Sequence, residues 1–151
     1  MVVYGQNVNA GTAGMAGATR TSKFIKDGFP KSIISYIGSY IQALPKKALQ
    51  DEPSIDFGFT NEGVYALRNV LKLPEINSKT LKDIKGIVRR DEKGNVIMNP
   101  AEAVVPTSRM DQDLPGYAWD LLPFKSRPLD LYRSPLWHAN YIEEDLSLIH
   151  I

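Results

Sequence analysis

The stretch from Ser32 to Pro45, Ser-Ile-Ile-Ser-Tyr-Ile-Gly-Ser-Tyr-Ile-Gln-Ala-Leu-Pro, constrains the fold of this chain more than any other. Residues Ser32 to Ile37 are β-branched, aromatic or small. That suits a strand buried in a parallel sheet better than an isolated hairpin arm. Gly38 then permits a sharp turn and a close approach by a ligand, and Ser39 sets a hydroxyl beside the exposed amides. Pro45 fits the first turn of a helix that carries Ala48 and Leu49. Strand, glycine–serine turn and helix, in that order, place a binding edge at the carboxyl end of a sheet.

The flanking segments repeat the plan. Val2-Val3-Tyr4 reads as a strand starting almost on the first residue, which suggests that something preceding it is missing. A loop rich in small and amide side chains follows, with Gln6, Asn7 and Asn9 in it and Thr12 as a helix N-cap. From Ala13 to Lys26, Met15, Ala18, Ser22 and Ile25 fall on one face at helical spacing. Asp27-Gly28-Phe29-Pro30 closes that helix. The third unit has Ser54 to Phe59 as strand, Thr60-Asn61-Glu62-Gly63 as polar turn, and Val64 to Leu73 as a helix whose Val64, Leu67, Val70 and Leu71 face one way. Three such units in succession predict a parallel α/β layer.

After Pro74 the pattern changes. Ile84 to Asn99 reads as a two-stranded hairpin with Gly94 in the left-handed position. From Pro100 onward prolines come often, and the sequence predicts an irregular connector anchored by Tyr117, Trp119, Phe124, Tyr132 and Trp137. The last six residues, 146–151, look like a foreign or truncated end. The expected organisation is therefore 1–74, 75–145 and a non-native tail.

Composition narrows the function classes. Of 151 residues, 18 are basic and 17 acidic, scattered without a stripe, so nothing argues for a nucleic-acid partner. The chain contains no cysteine, which excludes a disulfide framework, a thiolate nucleophile and a cysteine-held cluster or zinc within these residues. No apolar run approaches a membrane span and no secretory signal is visible, so a cytoplasmic location is the default expectation. No catalytic constellation and no metal-ligating set stands out. Glu143-Glu144-Asp145 reads as a solvated face, and a lone His138 is a poor basis for metal binding.

Candidate binding groups are Gln6, Asn7 and Asn9 on the first loop, Gly38 and Ser39 on the second, and Asn61, Glu62 and Gly63 on the third. Loops that follow parallel strands leave from one sheet edge, so these groups can converge although they are far apart in sequence. Each also has a plain structural use. Gly38 serves a tight turn, Ser39 a helix entry, the asparagines loop backbone, and Asn61 with Glu62 a helix cap and dipole.

Ile37-Gly38-Ser39, Ala43-Leu44-Pro45, Ala48-Leu49, Ile55-Asp56-Phe57 and Asn61-Glu62-Gly63 together resemble the latter half of the cobalamin-binding domain found ahead of the radical SAM barrel. Ile84-Lys85-Gly86-Ile87 to Asn99-Pro100, Leu114 to Pro123, and Tyr132-Arg133 with Trp137-His138 are similar to the linker that joins that domain to the barrel. The resemblance runs roughly from Val2 to Asn140. It departs from the family pattern at Ser39, where a second glycine is usual, and at Asn61 and Val64 within the Gly-Glu-Gly-Glu pattern.

The resemblance implies a truncated Rossmann-like α/β parallel sheet of the cobalamin-binding type, followed by a β-hairpin and an irregular proline-rich linker. It further implies that the eight candidate residues hold cobalamin, a ligand fringed with amides and carrying a phosphodiester tail. The radical SAM barrel of the parent chain, with its iron–sulfur cluster and S-adenosylmethionine, would lie beyond Ile151 and carry out methyl transfer or a related radical reaction. A generic doubly wound small-molecule or nucleotide-binding domain, or a non-functional fragment, are the other readings of the same residues.

Overall fold

The structure is a computed structural model that describes residues 2–4, 11–116, 118–121 and 126. Its centre is a five-stranded sheet in the order β1 (Val2–Tyr4), β2 (Ser35–Ile37), β3 (Phe57–Phe59), β4 (Ile87–Arg90), β5 (Val96–Met98). The first three strands are parallel, with Tyr4 opposite Ile37 and Tyr36 opposite Gly58. β4 runs antiparallel to β3, and β5 antiparallel to β4.

Because β1, β2 and β3 follow one another across the sheet in one direction, right-handed crossovers put both connections on the same face. There α1 (Gly11–Gly28), α2 (Ser39–Ala43) and α3 (Pro45–Asp51) bury Met15, Ala18, Ile41, Ala48 and Leu49 with Ile34, Tyr36, Ile55 and Val88 of the sheet side. The opposite face is covered by α4 (Val64–Leu71) and a 3-10 turn over Thr80–Asp83. Their Ala66, Val70 and Leu81, with Ile84, pack against Phe57, Phe59 and Ile87. Phe57 and Phe59 meet edge to face at 5.5 Å.

The apolar face expected for α1 is the one it buries, Ser22 included. Ser22 Oγ donates to Ala18 O at 2.9 Å and lies 2.8 Å from Tyr36 OH. With the serine proton committed to that carbonyl, the tyrosine is the donor, so helix and central strand are joined by a hydrogen bond inside the core. Burial raises the Tyr36 hydroxyl above its ordinary pKa.

Several details differ from the sequence expectation. α1 begins at Gly11, so Thr12 lies inside the helix instead of capping it. A separate helix, α2, precedes the one expected at Pro45, and the two break at Leu44 (φ −132, ψ 53) because a residue before proline avoids helical angles. In α4 it is Ala66, not Leu71, that is buried, and Leu71 is 71% exposed. β3 starts at Phe57; just before it Asp56 N donates to Ile34 O at 2.9 Å, and the Asp56 carboxylate accepts from Lys26 Nζ at 2.8 Å and from Ile34 N at 2.7 Å.

The hairpin forms with Gly94 at φ 83, and it extends the same sheet instead of opening a separate region after Pro74. The chain parts into the compact units Met1–Leu114 and Pro115–Ile151. In the second, a 3-10 turn covers Trp119–Leu121. The expected aromatic anchors Tyr117, Phe124, Tyr132 and Trp137, the side chain of Trp119, and the tail 146–151 lie outside what is described. Among the described residues no helix is long and apolar enough to cross a membrane.

Candidate functional site

Parallel pairing sends the chain out of β1, β2 and β3 at one edge, the side on which Tyr4, Ile37 and Phe59 end. Gly38 makes the turn after β2 at φ 126, ψ −176, a conformation that essentially only glycine adopts. Ser39 is exposed at the start of α2, and no side chain caps that helix.

The loop after β3 stands next to this turn. Gln42 Nε2 on α2 donates to Asn61 O at 2.8 Å, which ties the second loop to the third. Gly63 is left-handed at φ 77, and a Cβ there would lie 2.6 Å from Ile37 Cδ1 and 3.2 Å from Phe59 Cγ. Its glycine is therefore demanded by packing against the ends of both strands as well as by backbone angle.

Asn61 and Glu62 are engaged by a later part of the chain. Asn61 Oδ1 accepts from Gly63 N at 2.9 Å in a local turn, and its Nδ2 donates to Glu102 O at 3.0 Å. Glu62 Oε1 accepts from the amide of Val105. The structure thus brings Gly38, Ser39, Asn61, Glu62 and Gly63 to one rim. Gln6, Asn7 and Asn9 lie outside the described residues.

Gln42, Glu102 and Val105 shape this rim and were not singled out from the sequence. The spacing from Gly38 to Gln42 is one helical turn and could have pointed to the first. Nothing local marks the other two, which sit about forty residues downstream of the loop they bind.

The segment after the hairpin is fastened to α4 as well. Tyr65 OH donates to Asp113 Oδ2 at 2.6 Å, Arg109 Nε donates to the same oxygen at 2.8 Å, and the Arg68 guanidinium lies 4.6 Å from the Tyr65 ring centroid. The Arg109 guanidinium first, and then the Tyr65 hydroxyl, hold the Asp113 carboxyl down at about 2. A depressed carboxyl contributes stability that is whole above its ordinary value of 3.8 and is lost as pH falls toward about 2. Replacing Asp113 with asparagine should therefore lower the urea midpoint at neutral pH. The gap between variant and wild type should close only below the ordinary carboxylate range, and a constant gap across acid pH would contradict this assignment.

Among the described residues, surface hollows lie apart from the rim. One of about 700 Å³ runs beside α1 and is lined by Met15, Thr19, Phe24, Tyr40 and Glu52 among others. Another of about 520 Å³ is lined by Lys79, Lys82, Arg89, Glu92 and neighbours of both signs. Neither is lined by Gly38, Ser39, Asn61, Glu62 or Gly63. Among the described residues no group of three or more histidine, aspartate or glutamate side chains is placed to hold a metal ion.

No family model matches the sequence, and no curated protein matches it. Among the solved structures similar to it are two of the cobalamin-dependent S-adenosylmethionine radical enzyme OxsB. One has aqua-cobalamin and S-adenosylmethionine bound, the other aqua-cobalamin bound. Each is 26% identical, matches 74% of this chain with a TM-score of 0.49, and is matched over 14% of its own length.

Proposed function

We propose that this chain is a cobalamin-binding module whose site is the rim at the carboxyl ends of the three parallel strands. The observation that carries the reading is that Gly38, Ser39, Asn61, Glu62 and Gly63, drawn from two crossover units, share the edge at which β2 and β3 end, and Gln6, Asn7 and Asn9 are proposed to join them there. The sequence resemblance in the same order along the chain supports it.

The residues fit such a ligand. A corrinoid is large and fringed with amides, so a protein must offer hydrogen-bonding groups without bulk where it comes near. Gly38 has no side chain at a turn its φ of 126 reserves for glycine, and the exposed Ser39 hydroxyl stands beside it. On the other side of the rim, Asn61 and Gly63 would act as a wall, because their polar groups already hold the loop in shape. Glu62 keeps one oxygen for the loop and would offer the other to the ligand.

Bound cobalamin would supply cobalt-centred chemistry; this chain's residues would bind and orient it. Methyl transfer or a related radical reaction is assigned to a radical SAM barrel in the parent protein, with its iron–sulfur cluster and S-adenosylmethionine. The chain spans about a seventh of the OxsB chains it resembles, 14% of their length.

The direct test is titration of the purified chain with hydroxocobalamin. The expected result is a shift of the corrin absorbance bands that saturates at one equivalent and a coloured protein after desalting. An unshifted spectrum with colourless protein removes the proposal. Replacing Gly38 with valine should weaken binding at least about tenfold, since a branched side chain strains this turn. Full affinity in a folded Gly38→Val protein would place the site elsewhere.

A further inference from the structure

The loop after β3 is held on both sides by one later stretch of chain. Upstream, Gly86 N donates to Pro100 O at 2.7 Å and Thr60 N donates to Gly86 O at 2.9 Å, which sets the stretch from Pro100 beside the end of β3. Glu102 follows, with its carbonyl on Asn61 Nδ2 at 3.0 Å and its carboxylate on its own neighbour Ala103 N at 2.9 Å and on Asn69 Nδ2 of α4 at 3.4 Å. The fit is close, because a Cβ on Gly86 (φ 72) would lie 2.6 Å from Glu102 Cβ. Val105, 7% exposed, gives its amide to Glu62.

Beyond it the chain returns to α4. Asp113 is clasped by Tyr65, two residues after Gly63, and by Arg109. Both side chains of the loop with carboxylate or carboxamide groups are thus committed to residues 102–105, and the helix that the loop feeds is committed to residue 113.

Resting on the cobalamin reading, we infer that Pro100 to Leu114 is a latch that sets the shape of the loop 60–63 and through it the affinity of the rim. Asn69, Glu102, Tyr65 and Asp113 act as positioning residues, since none of them is placed at the rim itself. Coupling of this kind is reciprocal: whatever the latch adds to cobalamin affinity, bound cobalamin adds to the docking of the latch.

The test uses the full chain with Tyr65→Phe and, separately, Asp113→Asn, both away from the rim. Amide exchange is followed without ligand, and hydroxocobalamin affinity is measured by absorbance. The expected result is faster exchange at Gly63 and Val105, unchanged exchange at Tyr36 and Val88 in the sheet, and a Kd raised about five- to tenfold, in the range of one lost hydrogen bond. In the wild type, hydroxocobalamin should slow exchange at Val105.

Loosening of residues 109–114 that leaves Gly63 exchange unchanged overturns the latch, and so does faster Gly63 exchange with an unaltered Kd. If wild-type protein takes up no hydroxocobalamin, the cofactor reading falls by itself. The exchange arm then still decides whether the latch controls the loop, with a rise at Gly63 supporting it and no rise overturning it.

Discussion

Replacing Gly58 with valine is expected to prevent stable folding, and Gly58→Ala to lower stability by about 1–3 kcal/mol through overpacking. Gly58 sits in the middle of β3 on the face covered by α2. A Cβ there would lie 2.5 Å from Ile41 Cγ1, 2.6 Å from Ile41 Cδ1 and 3.4 Å from Val88 Cγ1. Ile41 is 1% exposed and β-branched, so it has few rotamers to retreat into. A valine gains strand propensity, but that scale spans only about 1 kcal/mol, and the clash wins.

The mechanism has its own control. Ile41→Ala alone should cost about 2–5 kcal/mol as a cavity, yet in the Gly58→Ala background the added methyl occupies part of that cavity. The double variant should then be more stable than the sum of the two losses predicts. Urea midpoints of the four proteins measure this, and strict additivity would mean that α2 does not sit on β3 in the way described.

Asn99→Ala should cost about 3 kcal/mol, the second large effect, because several buried groups lose their partner at once. Asn99 is 8% exposed, and its Nδ2 lies 2.8 Å from Leu81 O, 3.1 Å from Lys82 O and 2.6 Å from Ile84 O. Its Oδ1 accepts from Arg89 Nε at 2.9 Å, so truncation also strips a hydrogen bond from an arginine that is itself only 8% exposed. One side chain on the strand-end after β5 thereby holds the 3-10 turn that roofs the second cluster of the core. Chemical denaturation should show the loss with an unchanged slope. Arg89→Met should cost less than Asn99→Ala, and a double-mutant cycle should return a favourable coupling between the two. A variant Asn99→Ala with the wild-type midpoint would show that the turn is held by its apolar contacts alone.

The reading of local pattern survived where the forces are local. Met15, Ala18 and Ser22 predicted the buried face of α1 because helical spacing alone decides which side chains stand together. Gly94 predicted its own left-handed turn, with Asp91 Oδ1 accepting from Lys93 N and Asn95 N at 2.8 Å to close it. Leu71 failed because one position past the last buried turn is enough to rotate a side chain out to water, and only the sheet's position says which turn is last.

At the candidate rim, the amino-acid sequence by itself determined that β2 and β3 would end in polar, glycine-bearing loops, that Gly38 would turn where no other residue fits, and that Pro45 would start a helix. These follow from steric limits on single residues and from spacings of a few positions. Only the tertiary structure decided that the hairpin would join the same sheet, and that Asn61 and Glu62 would be taken up by Glu102 and Val105. It alone also decided that Gln42 would bind the next loop. Those pairings join groups 19 to 43 residues apart. Their partners are chosen by which surfaces the crossovers bring together, and no local pattern of side chains carries that information.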